Sequence, residues 1–125
     1  MPKWAFLFAA VSGLLSVGLG AFAAHGLRGR LDTRLMNVFE TGVSYQFTHT
    51  LALFGVCILM TLWERHWALI YASYAFMLGI ILFSGSLYLL ALTHMKWPGP
   101  ITPLGGLLFM VGWALLAVAT WQKAS

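Results

Sequence analysis

Four long stretches of this chain carry almost no charge, and this feature constrains the fold more than any other. A helix that crosses the hydrocarbon core of a bilayer needs about 20 apolar residues, and the runs that meet this need are residues 4–24, 39–63, 68–92 and 104–121. Only 8% of the 125 residues are charged and 61% are hydrophobic, which is too apolar for so small a soluble domain. The sequence therefore predicts an all-α integral membrane protein, with residues 1–125 forming one compact antiparallel bundle of four transmembrane helices.

The positively charged residues lie between these runs or at the chain ends. They are Lys3, Arg28, Arg30, Arg34, Arg65, Lys96 and Lys123. Four spans place both chain ends on one side of the membrane, and four of the seven cations lie on the other side, with the first loop. Because cytoplasmic loops are enriched in basic residues, we expect a cytoplasmic first loop. The net charge of +4 is spread over both faces, which favours lipid headgroups over nucleic acid as partners.

Several helix ends can be located from the sequence. Asp32 is suited to cap the second helix, because its carboxylate can accept from free backbone N–H groups. Thr102 followed by Pro103 is typical of the start of the fourth helix. Residues 31–38 either lie at the membrane surface and in water or form part of one long, tilted helix. The first span is longer than the apolar part of a usual signal peptide, so we expect it to be retained.

Small residues indicate where helices approach one another closely. Ser12, Ser16 and Gly20 lie on one face of the first helix, and Gly105 with Gly106 opens the fourth. Lipid provides little hydrophobic force between helices, so close packing through small residues becomes important. The face of the first helix either joins copies of the chain, which predicts a homo-oligomer, or is used within one chain.

Polar residues of the second span define a candidate site. Thr41, Tyr45, Thr48 and His49 fall on one arc of that helix, with Gly42 and Gln46 at its edge. Polar side chains are unfavourable in lipid, so this arc is predicted to face the bundle interior. Counting back from the short second turn brings His49 level with Ser84 and Tyr45 level with Tyr88. The sequence therefore predicts a polar layer that consists of Tyr45, His49, Ser84 and Tyr88. In this layer His49 is expected to form a hydrogen bond with Ser84 or Tyr88.

Two interpretations of His49 remain open at this point. Imidazole titrates near neutral pH, so His49 could carry protons or contact a ligand. Alternatively, it is a neutral residue that joins helices by hydrogen bonds.

His25 and Glu40 flank the first loop and form a predicted interfacial pair. His25 and His49 lie too far apart in depth to share a metal, since nine residues of helix already separate His49 from Glu40. The lone Cys57 is interpreted as a packing residue. We therefore expect no metal and no cofactor.

Four motifs then follow one another along the chain. They are GAFAAHGL at residues 20–27, YQFTH at 45–49, FSGSLY at 83–88 and ITPLGG at 101–106. Together they resemble the YgdD-like family of small bacterial membrane proteins of unknown function, which is similar to animal transmembrane protein 256. Ala23 stands where that family is expected to have glycine. The resemblance implies a multi-pass protein of the bacterial inner membrane with no established activity and no catalytic residues.

Two functional hypotheses follow. The first is a non-enzymatic accessory or scaffold protein, which is favoured because no nucleophile–base pair or paired catalytic carboxylates are visible. The second is a small oligomeric translocator or sensor for protons, ions or a small amphipathic molecule, which would use the polar layer around His49.

Overall fold

The computed structural model describes residues 2–64 and 66–124 of the protein. Arg65, which was counted among the cations above, lies outside the described residues. Five α-helices follow one another along the described chain: α1 (Pro2–Phe22), α2 (Thr33–Leu62), α3 (Trp67–Gly79), α4 (Gly85–Thr93) and α5 (Ile101–Ala124). Two π turns, Ala23–Leu27 after α1 and Ile80–Ser84 between α3 and α4, extend the first helix and join α3 to α4.

Four continuous helical segments in the described residues are long and apolar enough to cross a membrane. They are Lys3–Leu27, Thr33–Leu62, Trp67–Thr93 and Ile101–Lys123. The short connections between them make consecutive spans antiparallel. The predicted class, an all-α bundle of four transmembrane helices, is confirmed.

The start of α2 agrees with the sequence analysis. The Asp32 carboxylate accepts a hydrogen bond from the backbone N–H of Leu35 at 2.8 Å. From Thr33 onward α2 is one uninterrupted helix of 30 residues, so residues 33–38 are not a separate surface element. Such a helix is about 45 Å long, against a hydrocarbon core of about 30 Å, and α2 must therefore tilt or extend beyond the core.

The start of α5 differs from the prediction. The helix begins at Ile101, and Thr102 is not its cap. The preceding turn already satisfies the first N–H groups, because Ile101 donates to the carbonyl of Pro98 and Thr102 to that of Gly99. The Thr102 hydroxyl instead lies 2.5 Å from the Ser86 hydroxyl and joins α5 to α4.

The α2 helix and the third span form the centre of the bundle. Helix α1 packs chiefly against α2, and α5 packs chiefly against α3 and the following π turn. Between them lies an apolar core whose fully buried members include Leu53, Val56, Cys57, Leu69 and Phe76. Cys57 is thus part of the packing.

One glycine sets the distance between α5 and the third span. A Cβ added at Gly105 would lie 2.7 Å from the Phe83 Cα and would overlap its backbone nitrogen. Any side chain at this position would push the two helices apart. Gly105 therefore permits the backbone contact that brings α5 against the third span at Phe83.

Candidate functional site

His49 lies on the inward face of α2 and is only 5% exposed. Its Nδ1 is 2.8 Å from the backbone carbonyl oxygen of Tyr45, and the indole Nε1–H of Trp113 donates to its Nε2 at 3.1 Å. An indole nitrogen can only donate, so Nε2 must be unprotonated and Nδ1 must carry the hydrogen. The geometry therefore describes a neutral imidazole with both nitrogens engaged.

Aromatic rings enclose this imidazole. Phe109 stacks on it with ring centroids 3.6 Å apart and planes within 8°. The Tyr45 ring is also nearly parallel to the imidazole, at 5.8 Å and 12°. Phe76 and Trp113 approach at larger interplanar angles. Rings from α2, α3 and α5 thus converge on His49.

The predicted hydrogen bond from His49 to Ser84 or Tyr88 is wrong. The Ser84 hydroxyl donates to the carbonyl of Gly42 at 2.7 Å, and the Tyr88 hydroxyl donates to Gln46 Oε1 at 2.5 Å. Gly42 lies seven residues, or about 10 Å of helical rise, before His49. The depth count treated Ser84 and Tyr88 as facing His49. In the structure they bond to Gly42 and Gln46 of α2, whereas His49 faces Trp113 and Phe109 of α5.

A second polar cluster, here called the Gln46 network, was not recognised in the sequence. It consists of Ser12, Gln46, Thr50 and Tyr88. Gln46 donates to the backbone carbonyl and to the hydroxyl of Ser12, both at 3.1 Å, and the Ser12 and Thr50 hydroxyls are 2.7 Å apart. With the bond from Tyr88, the network joins α1, α2 and α4.

A sequence signal for this network did exist. Gln46 and Thr50 are four residues apart and share a helix face with the apolar, buried Leu53. If the inward face of α2 is located from its apolar residues rather than from its polar ones, Gln46 and Thr50 are predicted to face the interior.

The same error affects the predicted arc. The structure turns Gly42, Gln46 and His49 inward but leaves Thr41, Tyr45 and Thr48 exposed. Tyr45 is 44% exposed. Treating all polar residues of α2 as inward-facing rotated the predicted face away from the apolar residues that fix it.

His25 and Glu40 are not joined in the described structure. Both side chains are exposed, and no ion pair links them among residues 2–64 and 66–124. His25 lies in the π turn that ends the first span, and Glu40 lies beside the buried Phe39 on the outer side of α2. Both positions are outside the packed interior, so nothing there forces the two groups together.

The small residues of α1 are used within the chain. Ser12 and Ser16 are buried, and the Ser16 hydroxyl donates to the Ser12 carbonyl. A Cβ on Gly20 would lie 3.5 Å from Val43 of α2. The face of α1 that carries these small residues therefore packs against α2.

On α5, a Cβ on Gly106 would lie 3.7 Å from the Phe83 ring, next to the tighter contact at Gly105.

A groove of about 670 Å³ runs between α2 and α5 with His49 in its wall. We call it the His49 groove, and its lining consists of Tyr45, Thr48, His49, Phe83, Pro103, Gly106, Leu107, Phe109, Met110 and Trp113. A second groove, of about 390 Å³, lies between α1 and the third span and is bordered by Gln46, Ser84 and Tyr88. In residues 2–64 and 66–124, no three His, Cys, Asp or Glu side chains are grouped so that they could hold a metal ion.

Residues 19–106, which include every residue of the predicted polar layer, match a family described as "Protein of unknown function (DUF423)". The chain belongs to this family. The resemblance found in the sequence motifs is thereby confirmed, since YgdD is among the relatives described next.

The relatives are small membrane proteins of bacteria. The UPF0382 inner membrane protein YgdD of Escherichia coli is 42% identical over 120 residues, covering 93% of this chain and 88% of the relative. The UPF0382 membrane protein YwdK of Bacillus subtilis is 42% identical over 113 residues, covering 90% and 92%. A UPF0382 membrane protein of Staphylococcus haemolyticus is 43% identical over 122 residues, covering 96% and 97%.

No solved structure matches the chain. The relatives, together with the four membrane-spanning segments, establish a multi-pass protein of the bacterial inner membrane whose family has no assigned function.

Proposed function

We propose that this is a non-enzymatic accessory protein of the inner membrane, a scaffold that acts through its shape and contacts. One observation carries the proposal. Every buried side-chain nitrogen and oxygen in the described part of the chain has a hydrogen-bond partner within the chain. The buried Gln46, His49 and Ser84 use polar side-chain atoms in hydrogen bonds that join helices.

The contacts of His49 support the scaffold over a proton pathway. A proton carrier needs a ring nitrogen that can exchange its proton along a path. Here Nδ1 is engaged by the Tyr45 carbonyl and Nε2 by the Trp113 indole. Protonating Nε2 would place two donors opposite each other and break the link between α2 and α5.

Assembly into a homo-oligomer belongs to this proposal. The small face of α1 is occupied by α2, so a second copy needs another surface. The outer side of α2 provides one in the exposed Leu51, Ile58 and Leu62 and the half-buried Gly55. These residues recur at the alternating spacing of four and three residues that is typical of paired helices. Within the part of the chain that the structure describes, a Cβ on Gly55 would meet nothing within 4 Å, which leaves space for close approach of a second α2.

A flux measurement tests the scaffold proposal. Purified protein in liposomes with a pH-sensitive dye and an imposed proton or cation gradient should leak no faster than protein-free liposomes. His49→Leu should lower the unfolding temperature without changing the leak. His25→Gln, at an exposed histidine, is the matched control and should change neither. A flux that His49→Leu abolishes, with helix content and particle size preserved, would overturn the proposal.

A further inference from the structure

The inference concerns the His49 groove, whose size and position suit a small molecule. Its volume of about 670 Å³ lies within the range of roughly 300–1,000 Å³ found for small-molecule sites. The groove lies between two membrane-spanning helices, and its rim residues Leu107 and Met110 are exposed. A ligand therefore enters from the lipid phase.

The charge of the lining limits the headgroup of such a ligand. Among the residues that the structure describes, no Asp, Glu, Lys or Arg lines the groove. The neutral imidazole of His49 and the indole of Trp113 already satisfy each other. A charged headgroup would find no counter-charge here, so an uncharged one is the complementary choice.

Two hydroxyl groups in the lining have unused hydrogen-bonding capacity. In residues 2–64 and 66–124 no hydrogen bond engages the Tyr45 or the Thr48 hydroxyl, although both side chains border the groove. Thr48 is adjacent to His49 in sequence and therefore lies at nearly the same depth. An unpaired hydroxyl in the hydrocarbon region is unfavourable, and a ligand with acceptor oxygens would satisfy both groups.

The aromatic geometry favours a flat ligand. The Tyr45, His49 and Phe109 rings are nearly parallel, with interplanar angles of 12°, 8° and 19° among the three pairs. Phe83 and Trp113 border the same groove. A planar ring can extend such a stack in an offset arrangement.

From these observations we propose that the His49 groove binds a neutral, membrane-soluble molecule with a planar ring bearing carbonyl oxygens, which is the chemistry of a membrane quinone. The Tyr45 and Thr48 hydroxyls donate to the carbonyl oxygens, and the apolar tail lies along Leu107 and Met110. The proposal adds a ligand to the accessory protein and is independent of the scaffold proposal, because it requires neither flux nor a partner protein.

A binding titration tests this proposal. The full-length protein is placed in phospholipid nanodiscs and titrated with a short-tailed benzoquinone, with quenching of tryptophan fluorescence as the signal. Collisional quenching of tryptophans by quinone in the bilayer rises without saturating. It is measured on Trp113→Phe, which lacks the tryptophan that borders the groove, and is subtracted. A saturable component of one quinone per chain is expected.

The decisive variant removes both hydroxyls. Tyr45→Phe with Thr48→Val keeps the shape of the groove and should raise the quinone Kd about tenfold or more, as expected for two lost hydrogen bonds. Tyr71→Phe with Thr41→Val is the matched control, since both residues are exposed and outside the groove, and it should leave the Kd unchanged. Thermal unfolding of both variants confirms that they fold.

Several results would overturn the proposal. The first is quenching with no saturable component. The second is a quinone Kd that Tyr45→Phe with Thr48→Val does not change, and the third is an equal rise of the Kd in the control variant. Equal binding of an alkylbenzene without carbonyl groups would also contradict it. Because the nanodisc supplies phospholipid in large excess, a groove that prefers phospholipid would show no saturable quinone binding.

Discussion

The two sides of α2 use polar residues differently. On the side of α1 and α4, the Gln46 network engages each of its polar side chains in hydrogen bonds across helices. On the side of α5, His49 bonds to Trp113, while the hydroxyls of Tyr45 and Thr48 face an open groove. The comparison indicates that the hydrogen bonds of the first side specify helix positions, whereas the second side combines helix packing with a groove that is open to a ligand.

The largest effect is expected at the contact that holds α5 in place. Gly105→Ala would force a Cβ into the Phe83 backbone and should lower the free energy of unfolding by about 3 kcal/mol, or prevent folding. Chemical denaturation in mixed micelles measures the change. Gly85→Ala is the control in the same region, because a Cβ there meets nothing within 4 Å, and it should cause no loss. Similar stability of the two variants would contradict the close contact.

The next effect tests the side of α2 that carries the Gln46 network. Gln46→Leu removes a donor to Ser12 and the acceptor of Tyr88, and should cost about 2 kcal/mol because partners remain buried and unpaired. The double variant with Tyr88→Phe should be less destabilised than the sum of the two single variants, since one orphaned hydroxyl is removed. Strict additivity, measured in the same denaturation assay, would argue that the network is not coupled.

A smaller effect is expected for His49. His49→Leu retains the packing against Phe109 and loses the bond from Trp113, whose side chain is 45% exposed, so it should cost about 1 kcal/mol. His49→Ala also leaves a cavity and should cost more. Unfolding temperatures of the two variants give the comparison. If His49→Leu lowered the unfolding temperature more than His49→Ala, the imidazole would do more than fill space and join helices.

The smallest effect sharpens the contrast between the two sides. Tyr45→Phe removes a hydroxyl that bonds to nothing in residues 2–64 and 66–124, so unfolding without ligand should change by less than about 0.5 kcal/mol. Tyr88→Phe is the matched variant at a tyrosine that bonds to Gln46. It should lower the free energy of unfolding by about 1 kcal/mol. Equal losses would show that the Tyr45 hydroxyl has a structural partner after all.

The sequence was sufficient for those features that depend on local chemistry. Hydropathy located four spans, and the position of Asp32 located the start of α2. Burial of His49 was also correctly expected, because an imidazole facing lipid is unfavourable. These inferences need no knowledge of how one helix sits against another.

The partners of the polar residues could not be obtained in this way. Matching His49 to Ser84 required knowing which side of α2 each neighbouring helix contacts, and in the structure Ser84 bonds to Gly42 while His49 bonds to Trp113 of α5. The bond from Trp113 depends on the approach of α5, which Gly105 permits through a backbone contact with Phe83. Such contacts between distant segments leave no periodic trace in the sequence.

The packing order of the helices has a consequence for biogenesis. The α1 helix finds its main partner in α2, the span made immediately after it, and α5 finds its main partner in the span made immediately before it. Each of these two closely packed pairs is thus a hairpin of consecutive membrane spans, and only a short connection separates the two helices that pack together. A ribosome-bound intermediate can therefore complete the first hairpin in the bilayer before α5 has left the exit tunnel, and the second hairpin needs only to dock against a surface that is already formed.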